Sequence, residues 1–330
     1  MRITLTGADG LLGSNLVRLL LEAGHTVRVF LQEGKKSPTL DGLTIERVYG
    51  DILDPQALAR SFKGSHAVIH AAANTSIWPS RSALVSRINI DGTANAIAAA
   101  ESTQVDRFVY IGTANSFGPG TMDHPGNETS PYTGSAYGLD YIDSKYEAQR
   151  LVLDAVKTRR LPAVSVNPTF MIGPYDSTPS SGTMLIRLYQ GKVPGYTQGG
   201  KCWSHVHDIA TAVANACSMG RVGESYIAGN RNMSYGDFFD LAADIMGVRS
   251  PKAYIPRPLA LFVGMSQSIA SFFTKKPPLL SYTAARIGCD EFYYDTSKAR
   301  EELAMPSTPL EQAVQESFAW LKANGYLEAS

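Results

Sequence analysis

The opening of this chain restricts its fold more than any other stretch. A β-forming run, RITLT at 2–6, passes directly through Gly7, Gly10 and Gly13 into an apolar helical pattern, LLGSNLVRLLLEAG at 11–24. Glycines at G-x-x-G-x-x-G spacing let the backbone turn tightly and let a ligand approach it closely. The start of the helix offers free N–H groups and the positive end of its dipole. A plain glycine-rich turn is the competing reading. A strand before the glycines and an apolar helix after them make a phosphate cradle the better one, with Gly7, Gly10, Leu11, Leu12 and Gly13 as its residues.

The same alternation continues. Strand patterns at 26–31, 43–50, 66–73, 106–112 and 162–168 are separated by helical patterns at 54–62, 84–104 and 136–158. Asp54 followed by Pro55 is a helix start, a side-chain cap and then a preset φ. Strands alternating with helices predict a parallel sheet covered on both faces, and right-handed crossovers wind it into an α/β, doubly wound, Rossmann-type fold. After Pro168 the pattern loosens. Residues 170–203 are rich in Gly, Pro, Ser and Thr, and later helices are predicted at 207–219, about 234–246 and 309–325, with a short strand at 224–229. The expected division is a dinucleotide-binding domain over 1–168, with 204–230 returning to it, and a smaller, interleaved C-terminal substrate-binding lobe over 169–330.

Lys plus Arg and Asp plus Glu both number 30, so no basic footprint argues for nucleic acid. Cys202, Cys217 and Cys289 are too few and too scattered for a disulfide framework, which points to a reducing, cytoplasmic setting. The N-terminus does not read as a secretory signal. The most apolar late stretch, LALFVGMSQSIASFF at 259–273, carries three serines and a glutamine and falls short of the ~20 apolar residues a membrane span needs. An ordinary helix near the substrate lobe is expected there, although the following TKKPP would suit a membrane surface; no stable insertion is expected.

Residues 141–145, YIDSK, place Tyr141 and Lys145 four apart, on one helical face. That spacing is common by chance. It matters chemically because a phenol ionises near pH ~10, and a nearby ammonium favours the phenolate. Tyr132, Tyr137 and Tyr146 lie close by; Tyr137, four residues before Tyr141, has no lysine four residues on.

Several further stretches occur in a telling order: TGADGLLG (6–13), GDILD (50–54), VIHAAA (68–73), INIDGTANAIAAA (88–100), RFVYIGTANSFG (107–118), YIDSK (141–145), NPTFMIGP (167–174) and SHVHDIA (204–210). On these the chain resembles the extended short-chain dehydrogenase/reductases, the NAD-dependent epimerase/dehydratase family. Within that family, VNPTFMIGPYDSTPSSG and the IW after HAAANTS look most like dihydroflavonol-reductase-like bacterial proteins. The resemblance implies that Tyr141 passes a proton and that Lys145 holds the nicotinamide ribose. Thr113 takes the third role, although Gly112 replaces the family's preceding serine, and Ser116 is held in reserve. It also implies adenine contacts from Asp51 and Ile52, a small-residue wall of Ala71, Ala72 and Ala73, cofactor contacts from Pro168 and Met171, a structural or relay role for Asn89, and a homodimer through the two long helices.

The end of the second strand normally selects the dinucleotide: a carboxylate there suits a free ribose 2′-hydroxyl, and a cation suits a 2′-phosphate. Here the strand runs into Leu31 and Gln32, with Glu33 next and Lys35 and Lys36 just beyond. NADP(H) is therefore the favoured expectation, with NAD(H) as the other candidate. Arg28 lies within the strand and its face is open. His205 and His207 would point the same way if extended, but no cluster completes a site, and no metal is expected.

The leading functional expectation is reduction of a ketone or aldehyde on a fairly apolar small molecule, with Trp78, Phe170, Met171, Tyr175, Tyr189 and Tyr196 as its apolar surroundings. The alternatives are a nucleotide-sugar epimerase or dehydratase with tightly held NAD, for which Arg187, Lys192, Lys201 and Arg286 would serve the diphosphate; a 3β-hydroxysteroid-type dehydrogenase; and a non-catalytic dinucleotide sensor.

Overall fold

The computed structural model describes residues 1–328. The first half runs β1 (Arg2–Thr6), α1 (Leu11–Glu22), β2 (Thr26–Leu31), β3 (Glu46–Tyr49), α2 (Pro55–Phe62), β4 (Ala67–His70), α3 (Ala83–Ser102), β5 (Arg107–Ile111), α4 (Asp140–Arg159) and β6 (Ala163–Pro168). The second half continues with β7 (Phe170–Ile172), α5 (Gly182–Tyr189), β8 (Gly200–His205), α6 (Val206–Ala216), β9 (Ser225–Ala228), β10 (Arg231–Ser234), α7 (Tyr235–Met246), α8 (Arg257–Thr274), α9 (Tyr282–Cys289), β11 (Glu291–Phe292), α10 (Ser297–Glu302) and α11 (Leu310–Ala323).

Seven strands form one sheet in the order β3-β2-β1-β4-β5-β6-β9, and every pairing in it is parallel. It is a Rossmann-type sheet. The chain order reverses between β1 and β4, and the crevice at such a switch point is where ligands bind in open α/β sheets. The sheet is covered on both faces, so its strands read as apolar runs. Ile3, Leu5, Val29, Ile69 and Val164 sink into a core shared with α1 and α6, while Val68, Phe108 and Tyr110 pack against α2, α3 and α4. Burying each such side chain stabilises the fold by roughly 1.5–3 kcal/mol.

The late helices and short strands build a smaller lobe. There β8 pairs antiparallel with β10 on one edge, while β7 and β11 share its other edge in parallel. Trp203 centres the lobe's core, stacked on Phe238 with ring centroids 3.6 Å apart. Residues 170–203, expected as irregular chain, hold β7, α5 and the start of β8. β7 has three residues, too few to show a period of two, which is why the pattern hid it. Three of the aromatic residues expected around a substrate pack on other rings of the lobe instead: the exposed Tyr189 meets Phe318, the half-buried Tyr175 meets Trp320, and Phe170 meets Trp203.

The helix expected over 136–158 begins later. Tyr137 closes a 3-10 turn, Gly134–Tyr137, ended by Gly138 at φ +61°. Tyr137 and Tyr141 therefore do not share a helix. Cys202, Cys217 and Cys289 are free and buried. Among the described residues no helix is long and apolar enough to cross a membrane.

Candidate active site

The cradle is built by close backbone approach. Gly7 sits at φ +72°, and a Cβ there would lie 2.7 Å from the Ala71 carbonyl carbon and from the Ala72 nitrogen. A Cβ on Gly13 would lie 2.2 Å from the Gly7 oxygen. Gly10 caps α1 with no side-chain hydrogen bond, so the first N–H groups of the helix are left for another acceptor. The residues present fit a dinucleotide pyrophosphate. Leu11 and Leu12 are buried just behind the turn. Ala71, Ala72 and Ala73 follow β4 along the crevice, and the Ala72 N–H donates to Thr6 Oγ1 at 3.1 Å.

His70 closes the floor. One ring nitrogen meets Thr6 Oγ1 at 2.9 Å and the other meets Thr93 Oγ1 at 3.3 Å. Burial, with the Lys145 ammonium as a lesser influence, lowers its pKa to about 3, so the ring stays neutral. In the sequence the only mark of His70 is a histidine at the end of an apolar strand.

Thr113 follows β5, and Tyr141 and Lys145 lie on α4. Lys145 is only 4% exposed. Its Nζ donates to the Ile111 carbonyl at 2.6 Å and lies 4.5 Å from the centre of the Tyr110 ring. Burial lowers its pKa to about 7. Burial raises that of Tyr141, and the hydrogen-bonding hydroxyl of Thr113 acts in the opposite direction. Tyr141 is thus a neutral phenol at neutral pH, where charge proximity alone argued for a lowered pKa. Gly112 has a packing reason: a Cβ there would fall 2.0 Å from Asn167 Oδ1. Ser116 is buried with its hydroxyl unpaired.

Asn89 ties the wall to the helix. Its Oδ1 accepts from the Asn74 N–H at 2.7 Å, and its Nδ2 donates to the Asn74 carbonyl at 3.0 Å and to Ser144 Oγ at 2.9 Å. Asn74 and Ser144 escaped the sequence argument because nothing local marks either one. Asp51 is exposed and accepts from the Leu53 N–H at 2.9 Å. Ile52 packs on Gly92 of α3. Pro168 ends β6 and Met171 lies in β7, half-buried against the sheet core.

Of the proposed diphosphate cations, Lys201 lies between the rings of Phe170 and Phe292, at 5.2 and 5.0 Å. Burial lowers its pKa to about 8. Arg286 donates to the Ala136 carbonyl at 2.8 Å and covers the Tyr137 ring. Arg187 lies in the last turn of α5, and Lys192 is exposed beyond it. His205 and His207 do not form an extended pair: His205 caps α6 by accepting from the His207 N–H at 3.0 Å, and its other nitrogen meets Glu316 at 3.1 Å.

The ground for NADP(H) weakens in the fold. Lys35 is ion-paired with Asp9 of the glycine loop at 2.8 Å. Arg28 turns away from the crevice and donates to the carbonyls of Ser61 and Lys63. Gln32 and Lys36 are exposed.

The chain is 29% identical to a putative dihydroflavonol 4-reductase of Synechocystis sp., covering 98% of this chain and 95% of that one. It is 28% identical to sterol demethylase protein B of Methylococcus capsulatus, covering 99% and 100%. Among solved structures, gox2253 superposes with a TM-score of 0.87 at 29% identity over 99% of each chain. DesIV of Streptomyces venezuelae, a dTDP-glucose 4,6-dehydratase solved with NAD, superposes at 0.80 with 22% identity over 99% of each chain. WbmG of Bordetella bronchiseptica and MoeE5 are likewise solved with NAD. The NADP(H) expectation is corrected on this ground: the similar structures whose dinucleotide is named hold NAD, and Lys35, one of the two lysines expected to face a 2′-phosphate, is already paired with Asp9. The sequence model of the NAD dependent epimerase/dehydratase family matches residues 3–229, and the chain belongs to that family, as an NAD(P)-dependent oxidoreductase.

Proposed function

We propose that this enzyme uses NAD(H) to interconvert a secondary alcohol and a ketone, with Tyr141 exchanging the proton at the substrate oxygen. The dinucleotide, when bound, supplies the hydride acceptor or donor. The N–H groups after Gly10 hold its pyrophosphate, and Ala71–Ala73 wall its adenosine half. The Thr113 hydroxyl orients the substrate oxygen beside the phenol. Lys145 fixes the ribose, and its charge draws the Tyr141 pKa down toward the working range once the site is filled. The observation that carries this reading is the buried Lys145, held by the Ile111 carbonyl two residues before Thr113 on the helix that bears Tyr141.

Two substrate classes fit this step. A nucleotide sugar, oxidised and then reduced or dehydrated on tightly held NAD, draws support from the solved relatives with named ligands and from Lys201, a cation that makes no ion pair among the described residues. A fairly apolar ketone draws support from the names of the curated relatives, a putative dihydroflavonol 4-reductase and 3β-hydroxysteroid dehydrogenases, and from the rings of Phe292 and Tyr137. The ligand-bearing neighbours weigh toward the first. Denaturing the purified protein and assaying the released dinucleotide separates the two: NAD carried through purification supports the nucleotide-sugar class, and its absence, with NADH oxidation on an added ketone, supports the other. With either substrate, Tyr141→Phe should lower kcat by ~10²–10⁴-fold at unchanged NAD affinity. An unchanged kcat removes Tyr141 from the reaction.

A further inference from the structure

The helix pair α8–α9 is built with its apolar side outward. The face of α8 toward α9 is small and polar. Ala260, Gly264 and Ser271 are buried there, and a Cβ on Gly264 would lie 2.8 Å from the Ala285 Cβ and 3.0 Å from the Ser281 carbonyl. Gln267 Oε1 accepts from the Leu280 N–H at 2.9 Å, and Ser268 Oγ accepts from the Tyr282 N–H at 2.9 Å. These contacts fix which side of the helix faces in. The large side chains therefore face out: Phe272 is 80% exposed, Phe273 77%, Phe262 71%, and Leu279, just beyond the helix, 74%. Met265 and Ile269 complete a stripe along the outer face at helical spacing. An ordinary surface helix of a globular protein has the opposite arrangement.

The charge around the stripe has one sign. Between Asp244 and Asp290 the chain has no acidic residue, whereas Arg249, Lys252, Arg257, Lys275, Lys276 and Arg286 all fall there, in a protein whose formal charge sums to zero. Lys252 is paired with Asp240 and Arg257 with Asp290, while Lys275 and Lys276 stand exposed at the C-terminal end of α8, outside the ion pairs of the described residues. A second copy of this face would meet the same lysines with no carboxylate to pair them. An interface of anionic lipid headgroups over acyl chains supplies both partners: hydrocarbon for the phenylalanines and negative charge for the lysines.

We infer that α8 is a peripheral membrane-docking element. It lies in the plane of an anionic bilayer, with Phe262, Ile269, Phe272 and Phe273 in the acyl boundary and Lys275 and Lys276 at the headgroups. The helix pair also borders a cavity. Arg257 at the start of α8 pairs with Asp290 after α9 at 2.5 Å, and Asp290 Oδ2 accepts from the Tyr137 hydroxyl at 2.8 Å. Asp290 and Cys289 line an open cavity of about 570 Å³ with Pro119 and Thr121. Docking through α8 would thus bring the rim of that cavity to the bilayer. The inference goes beyond the catalytic reading and does not rest on it.

The test is co-sedimentation of the full chain with phosphatidylcholine vesicles, with and without phosphatidylglycerol. Binding to the anionic vesicles, weakened by added salt, is expected. Phe272→Ser/Phe273→Ser should lower the partition coefficient about tenfold or more, and Lys275→Glu/Lys276→Glu should abolish the preference for phosphatidylglycerol. Both pairs are exposed, so an unchanged unfolding midpoint is expected to accompany the loss. As a second readout, the emission of Phe272→Trp should move to the blue when anionic vesicles are added. A wild-type chain that stays in the supernatant with both vesicle types overturns the inference. So does a stable dimer that Phe272→Ser/Phe273→Ser converts to monomer, since the stripe is then covered by a second copy.

Discussion

Replacing Lys145 with methionine separates what the site needs from what the fold needs. The folded protein lowers the lysine pKa from 10.5 to about 7. A difference of ~3.5 on the pH scale, at ~1.36 kcal/mol each, makes the buried ammonium unfavourable by roughly 5 kcal/mol. That figure already includes what the Ile111 carbonyl and the Tyr110 ring return to the ammonium. Methionine of similar length removes the buried charge but leaves the Ile111 carbonyl without the lysine donor, a loss of ~1–3 kcal/mol. Lys145→Met should therefore leave the cofactor-free protein more stable at pH 7 by roughly 2 kcal/mol, a rise of a few °C in Tm. Turnover should fall at least ~100-fold. The pH dependence carries the sign. Above about pH 7 the folded lysine has lost its proton, whereas the unfolded one keeps it to about 10.5, so the unfolded state binds more protons in that window. Lys145 should then add stability as pH rises across it, and the slope should be smaller in the variant, where Lys201 keeps its own share. Thermal unfolding at a series of pH values without NAD, together with turnover, tests both parts. A Tm at pH 7 lower by more than ~5 °C, or a pH slope identical in Lys145→Met and wild type, refutes the reasoning.

Three further substitutions follow from the same geometry. Gly13→Ala drives a Cβ to within 2.2 Å of the Gly7 oxygen; a loss of ~1–3 kcal/mol is expected, with NAD binding lost in calorimetry even where the fold survives. Gly112→Ser restores the residue the family usually carries, yet it should lower Tm and turnover rather than improve them, because Asn167 Oδ1 occupies the space. Asp9→Ala frees Lys35, so the ratio of NADPH to NADH affinity, read by fluorescence titration, should move toward NADPH by about 1 kcal/mol, roughly fivefold; an unmoved ratio would show that Lys35 does not reach the ribose.

The parallel sheet was legible because its physics is local. Buried parallel strands are apolar along their length, Asp54 accepts from the Gln56 N–H as its sequence position predicts, and a glycine turn between strand and helix has few other uses. The residues around the crevice were legible for a related reason. Loops at the C-terminal ends of parallel strands share one edge of the sheet, so Gly7, Ala71, Thr113 and Pro168 converge there once the alternation is recognised. What remained hidden depends on contacts between distant parts of the chain. Whether Lys35 is free or neutralised was settled by Asp9, and the face of Arg28 by the carbonyls of Ser61 and Lys63 at the end of α2. Tyr137 lies outside α4 because Gly138 adopts a left-handed turn. The apolar pattern of α8 is identical whether its phenylalanines face in or out. Hydrophobic periodicity reports that a helix has two faces, and only the packing of Gly264 against α9 decides which of them meets solvent.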